Sequence, residues 1–490
     1  MTNLSEDRKI DRKQRLQIPH QDILKQDPND RQCNWQEVVL GFKDDGAVMV
    51  EANRCLQCPN APCMKACPIH NDIPGALWEA EQGNFIAAAD IFRLTSTMPG
   101  VCGRICPQER LCEGSCVVGA TKKPPVSIGR LEAFVADRQR KTEGLPMPSM
   151  APSTGHRVAV IGSGPAGLTV AELVARAGNK VVVFEEWPLP GGILRYGIPT
   201  FKMEKGILED KLDLLEKMGI EFRCNTSLGK DITIDDLLGK GFDAVFMGQG
   251  AGVPSDLGTP GESLAGVYHS TDFLVRANLP PDELPDTMQA PITVGKHVVV
   301  IGGGDTSMDC VRSAIRLAKQ DGITATVTCL SRLDESQLIG RAEERKHARD
   351  EGAQLDFHVV TTRFIGDEHG HVQAIECVNV QASEPDGNGL QTFSNVPGTE
   401  RTIPADTIVI SIGYRGDVKL ADSAKLRHVR GIIQIDPATG ATSRPGVFAG
   451  GDSAQGPKLV VTAIAQARTA SAGIIDYLAK MSAPLAGAAR

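Results

Sequence analysis

From Arg157 onward, short runs of β-branched residues alternate with longer stretches whose apolar positions recur every three or four residues. That alternation is the signature of parallel α/β units. The first 145 residues have another texture: polar, cysteine-rich, with helix-like apolar spacing over Ile73–Glu81 and Ile128–Arg140. Between the two zones, Gly144–Gly155 (GLPMPSMAPSTG) reads as a linker. A last helix-like run, Lys458 to Leu478, follows the segment GVFAGGD at Gly446–Asp452.

The chain has 490 residues, which suggests about three domains. Its net charge of −8 argues against a general nucleic-acid or anionic-membrane surface. No apolar stretch approaches the roughly 20 residues of a membrane helix, and the charged N-terminus has no apolar signal core. A cytoplasmic location is expected. Eight of the 13 cysteines fall between Cys55 and Cys116. In a reducing compartment such clustering points to metal or redox chemistry rather than disulfides. Cys33, Cys224, Cys310, Cys329 and Cys377 are expected to be ordinary buried thiols.

Two similar glycine turns, VAVIGSGPAGL at Val158–Leu168 and VVVIGGGDTSMD at Val298–Asp309, lie about 140 residues apart. In the first, Gly162 permits the tight turn, Gly164 lets a pyrophosphate approach, and Gly167 allows close helix packing. Glu185, 23 residues beyond Gly162, is placed to accept from ribose hydroxyls. The loop PGGILRYGIP, with Gly192 and Leu194, and the distant Gly451 and Asp452 suit a flavin's ring and ribityl chain. This turn is therefore read as an FAD site. Asp452 read blandly is a helix cap.

The second turn offers Gly302, Gly304, Asp305 and Thr306, with Ser307 in the third glycine position. The next strand ends at Ser331–Arg332 without a carboxylate, so Arg332 leans the site toward the 2′-phosphate of NADP(H). NAD(H) stays open. Arg341 and Arg345 are further cations, or else a solvated face.

The cysteines form two groups, Cys55-x2-Cys58-x4-Cys63-x3-Cys67-Pro68 and Cys102-x3-Cys106-Pro107-x4-Cys112-x3-Cys116. The first resembles the two-cluster ferredoxin run, in which the fourth cysteine serves the other cluster. Cys67 is then expected to cross over, so that the groups interleave. Zinc is the rival, but only one C-x2-C exists and the second spacing suits it poorly.

In order along the chain, RCLQC, ICPQERLCEGSC, VSIGRLEAF, IGSGPAGL, PGGILRYGIP, IGGGDTSMD and FAGGD resemble the glutamate synthase small (β) subunit family. The same architecture looks like the large subunit of the NADH-dependent ferredoxin:NADP oxidoreductase and the N-terminal half of dihydropyrimidine dehydrogenase. The resemblance implies a helical domain over 1–145 with two [4Fe–4S] clusters. Two Rossmann-like domains follow, for FAD (156–290 and 405–490) and, inserted in it, for NAD(P)H (291–404). It also implies that Cys55, Cys58, Cys63 and Cys116 hold one cluster, and Cys67, Cys106, Cys112 and Glu132 the other. The bare count of eight cysteines offers Cys102 instead, with Glu132 a surface carboxylate. Arg332–Leu333 replaces a pair of arginines, and Gln249 a threonine, of the family pattern.

The expected function is hydride transfer from NAD(P)H to FAD, then single-electron exit through the clusters. The acceptor is expected to be a larger catalytic subunit such as the glutamate synthase large chain, in a hetero-oligomer. A ferredoxin-reductase-like partner in a transhydrogenase-type, possibly bifurcating, assembly is the alternative. Neither nucleic acid nor membrane is an expected partner.

Overall fold

Strands Arg157–Ile161, Lys180–Phe184 and Ala244–Met247 are apolar apart from their first residues Arg157 and Lys180, rich in β-branched residues, and buried through their centres. Apolar on both faces, they can only lie inside a sheet covered by helices on either side. In the computed structural model, which describes residues 10–384 and 391–482, they form that sheet. Its order is Val447–Ala449, Ala244–Met247, Arg157–Ile161, Lys180–Phe184, Glu221–Arg223, parallel throughout. Helix Pro165–Arg176 and the last helix, Val460–Ser482, pack together against it.

A second parallel sheet repeats the order: Val267–His269, Thr407–Ser411, His297–Gly302, Thr326–Ser331, Gln354–Phe357. It is wider than the 291–404 segment expected from the sequence. Val267–His269 pairs with Thr407–Ser411, yet a three-residue strand carries too little pattern to be read as one. An antiparallel sheet built from Val359–Gly366, Val372–Ala382, Phe393–Asn395 and Arg401–Pro404 sits within this part of the chain. The chain crosses between the two parallel sheets on a two-stranded ribbon, Val253–Pro254 against Tyr414–Arg415. Of the expected domain spans, 1–9, 385–390 and 483–490 lie outside the described residues.

The cysteine-rich part is helical, with Ile73–Glu81 and Ile128–Thr142 where the spacing placed them. Asp72 caps the first of these by accepting from Gly75 N–H at 3.0 Å. Ile73, Leu77, Phe85, Phe92, Leu131 and Val135 form its core. The expected linker is laid down rather than free: Ala151 N–H donates to Arg176 O and Thr154 N–H to Gly178 O, each at 2.9 Å. The helical part is also joined to the first sheet by packing. Cys67, Met98, Val101, Cys102 and Cys106 share one apolar core with Val160, Leu168 and Leu194.

Among the described residues no helix is long and apolar enough to cross a membrane.

Candidate functional site

The first glycine turn leaves no room for side chains where the backbone crowds. Gly162 has φ +88°, and a Cβ on Gly167 would stand 1.9 Å from Gly162 O. Gly164, the N-cap of helix Pro165–Arg176, differs: a Cβ there would meet nothing within 4 Å. Its outer face is open, beside the unpaired N–H groups of a helix start. Glu185, buried at the end of the next strand, accepts from Ser163 N–H (3.0 Å), Ser163 Oγ–H (2.5 Å) and Trp187 N–H (3.0 Å). The carboxylate is thus fixed by the turn itself. Ser163 was not singled out from the sequence; its position inside the glycine motif was the available signal.

Loop 190–199 folds over this turn. Gly192, at φ +51°, starts the one-turn helix Ile193–Tyr196, and Leu194 is fully buried. Lys205 ties the loop down, donating to Leu194 O at 2.8 Å and to Ile198 O. Arg195 Nε–H donates to Pro190 O at 2.6 Å. No local pattern marked Lys205. Gly451, at φ +67°, approaches Ala166, and Asp452 opens the short helix Asp452–Gln455. The Asp452 carboxylate accepts from Lys458 N–H at 3.2 Å, and burial pushes its pKa up to about 6. Two buried amide oxygens here have no protein partner, Oε1 of Gln249 and Oε1 of Gln466. An open glycine edge, a fixed carboxylate and orphaned acceptors fit a ligand rich in hydroxyl and N–H groups, as a flavin dinucleotide is.

The second turn is built differently. A Cβ on Gly302 would stand 2.3 Å from Ser411 O, while Ser307 Oγ–H donates to that same oxygen at 3.3 Å. The serine hydroxyl thus takes up the space that a third glycine would leave. Gly304 caps helix Asp305–Gln320 and is open like Gly164. Asp305 faces back into the protein, accepting from Arg341 N–H at 2.8 Å; Thr306 lies half-buried beside it. Arg332 is exposed, its guanidinium 5.2 Å above the Phe393 ring. Arg341 and Arg345 are neither phosphate cations nor a solvated face. Both are buried: Arg341 pairs with Glu344 and donates to Arg104 O, and Arg345 donates to Gly340 O.

The cysteines interleave. Cys55, Cys58, Cys63 and Cys116 line one cleft with Ile73 and Leu77. Burial pushes the Cys55 and Cys63 thiols up to about 12, and their mutual repulsion as thiolates adds to it. Cys67, Cys102, Cys106, Cys112 and Glu132 form a second electrostatic neighbourhood. Cys102 is the exception, lowered by its hydrogen bond with Cys106; the thiols held neutral by burial release protons when a metal takes their place. Among the described residues no three His, Cys, Asp or Glu side chains converge on a single ion position. The first set rings a cleft instead, an arrangement that fits a cluster of several irons.

Glu132 is not a surface carboxylate. It is 7% exposed, with Asn71 Nδ2–H donating to it at 3.3 Å, and burial pushes its carboxyl well up. Cys102 is equally buried and hydrogen-bonded to Cys106, so both candidates face the same place. Of the scattered cysteines, Cys310, Cys329 and Cys377 are buried and Cys224 half-buried, but Cys33 is exposed.

Residues 31–144 match the family described as dihydropyrimidine dehydrogenase domain II, 4Fe-4S cluster. Residues 156–467 match pyridine nucleotide-disulphide oxidoreductase. Over 455 residues the chain is 38% identical to the glutamate synthase [NADPH] small chain of Escherichia coli (strain K12), covering 91% of this chain and 95% of that one. It is 34% identical over 441 residues to the NADP(+)-dependent formate dehydrogenase subunit beta of Moorella thermoacetica, covering 85% of this chain and 60% of that one. Among solved structures, Mycobacterium tuberculosis FprA in complex with NADPH superposes with a TM-score of 0.56 at 20% identity. That match covers 67% of this chain and 85% of the other, and is a likeness of fold.

Proposed function

The chain belongs to the glutamate synthase small-chain family, and from that premise we propose that it passes electrons from NADPH through FAD and two [4Fe–4S] clusters to a larger partner subunit. It is an NAD(P)H-dependent oxidoreductase of the electron-transferring flavoprotein kind. The observation that carries the proposal is the shared core. Cys67, Cys102 and Cys106 pack into the apolar layer that holds Val160, Leu168 and Leu194 of the first nucleotide unit. Cys55, Cys58, Cys63, Cys112 and Cys116 pack on the other, helical core. Cys67, Cys102 and Cys106 thus lie against the first nucleotide unit and the other five on the helical core, which supports an electron path that leaves by way of the first three.

Bound FAD supplies the conversion of one hydride into two single electrons, and iron–sulfur clusters carry such electrons one at a time. The protein's own residues position and insulate. Gly162, Gly164 and Gly167 shape the resident nucleotide's pyrophosphate site, and Glu185 takes its ribose hydroxyls. Gly192 and Leu194 line the ring, with Gly451 and Asp452 at the ribityl end. Gly302, Gly304, Asp305 and Thr306 shape the second pyrophosphate site, and Arg332 meets the 2′-phosphate. Cys55, Cys58, Cys63 and Cys116 hold the outer cluster; Cys67, Cys106, Cys112 and the buried Glu132 hold the inner one, with Cys102 beside it. The second nucleotide unit runs between the crossings at Val253–Pro254 and Tyr414–Arg415. Thirteen unpaired cysteines suit a reducing cytoplasm.

The leading partner is a glutamate synthase large chain. The relation to a formate dehydrogenase subunit favours a second reading, in which the same module feeds a different enzyme. Anaerobic co-purification from the native host separates them by the size and composition of what comes with the chain. NADPH, added to the anaerobic holoprotein, should bleach the yellow flavin absorbance and then raise cluster EPR signals. Zinc in place of iron, or a flavin that NADPH leaves oxidised, would overturn the proposal.

A further inference from the structure

A cavity of about 410 Å³ opens where segment 37–42, helix Ile128–Thr142, loop 201–204 and helix Ala342–Asp350 meet. Neither glycine turn and none of the clustered cysteines lines it. Its size is that of a small-molecule site. Phe42, Phe134 and Phe201 give it an apolar wall.

His347 lines the same cavity and is 1% exposed, yet neither ring nitrogen has a hydrogen-bond partner. The nearest carboxylate, Glu343, stands 3.9 Å away. Arg341 also lines the cavity, and its buried Nε–H is likewise without a hydrogen bond. Buried polar groups left this way cost free energy unless something meets them. The lining carries seven arginines and lysines against four carboxylates. Carboxylates behind the wall, among them Asp309 and Glu351, neutralise much of that excess. The unmet demand is therefore for an acceptor of modest charge. A phosphate is a poor fit, because the start of helix Ala342–Asp350 is already taken. Arg341 N–H donates to Asp305 and Ala342 N–H to Glu109.

We propose that this junction cavity binds a small organic carboxylate, its acid group accepting from His347 and Arg341 and its apolar body lying against Phe134 and Phe201. Touching the helical part, loop 201–204 and the second nucleotide unit at once, such a ligand stiffens the seat of one on the other.

The test is calorimetric titration of the anaerobic holoprotein with succinate and with benzoate, and with inorganic phosphate for comparison, alongside thermal unfolding. Saturable binding of at least one carboxylate is expected, with a higher unfolding temperature. His347→Leu should weaken it at least tenfold. Should that variant not fold, Lys141→Glu, on an exposed side chain at the mouth, carries the same test. No saturable carboxylate binding, affinity unchanged in the variant, or phosphate binding as tightly would each overturn the proposal.

Discussion

The two nucleotide crevices share a strand order and a glycine turn, yet end their second strands in opposite chemistry. Glu185 is buried and accepts three hydrogen bonds from Ser163 and Trp187. Arg332 is exposed and rests on a single ring, Phe393. The first crevice is set before its ligand arrives, and the second is left open at the same point. That is what a resident cofactor and an exchanging co-substrate respectively ask of a protein: preorganisation in one case, access in the other. The fold supplies the crevice, and one residue at a strand end supplies the difference.

The largest effect should come from the turns, at the third position of the first and the second position of the second. Gly167→Val drives a side chain into Gly162 O and should cost about 4 kcal/mol or more, leaving protein without FAD. Gly304→Ala, at φ −83° with open space beyond, should keep fold and FAD within about 0.5 kcal/mol of wild type. Its defect should lie in a raised KM for NADPH, since the added methyl faces the approaching pyrophosphate. FAD content and KM measured on both variants check the pair. A yellow Gly167→Val protein would show that the first turn tolerates a side chain at its third position after all.

Next comes Glu185→Ala. It strands the Ser163 and Trp187 donors and removes a ribose acceptor, so FAD should bind roughly 10- to 100-fold more weakly, about 2 kcal/mol. Arg332→Ala should be milder and selective. KM for NADPH should rise about tenfold, near 1.4 kcal/mol, with NADH kinetics and FAD content unmoved. Equal losses with both nucleotides would remove the 2′-phosphate from the role of Arg332.

How far the sequence carried these crevices follows from how local their causes are. Gly162, Gly164 and Glu185 were legible because a turn and a strand end lie close along the chain. The crossing of Cys67 was legible from spacing, since ligand order in a two-cluster run reflects chain geometry, whereas the place of Cys116 came only with the family resemblance. Arg341 and Arg345 were misjudged because their partners are set by tertiary packing. Arg31, unmarked in the sequence, is also set by tertiary packing: its Nε–H reaches Glu351 at 2.8 Å across 320 positions, beside Arg312 and Arg316. Phe201, its ring centre 4.4 and 4.1 Å from the guanidinium groups of Arg312 and Arg316, left no periodic trace either. Val267–His269 is too short to show a strand period.

The smallest effect tests the far end of the comparison, where corresponding outer strands run into helix starts. The first crevice places Asp452 just beyond Val447–Ala449, and the second places Ser270 beyond Val267–His269. Ser270 is neutral and hydrogen-bonded to Tyr414, so it has nothing to titrate near neutrality. Asp452 is held by burial at about 6 rather than its ordinary 3.8. The folded form therefore binds the proton more tightly than the unfolded form. This group's contribution to stability rises as pH falls from about 6 toward 4, and is flat above. Between pH 7 and pH 5 the wild type should gain about 1 kcal/mol on Asp452→Asn, allowing for the side chain's partial exposure. Denaturant unfolding of both proteins at the two pH values measures it. Parallel curves would mean that the carboxyl is not held up by burial, and that the two strand ends differ in shape but not in charge.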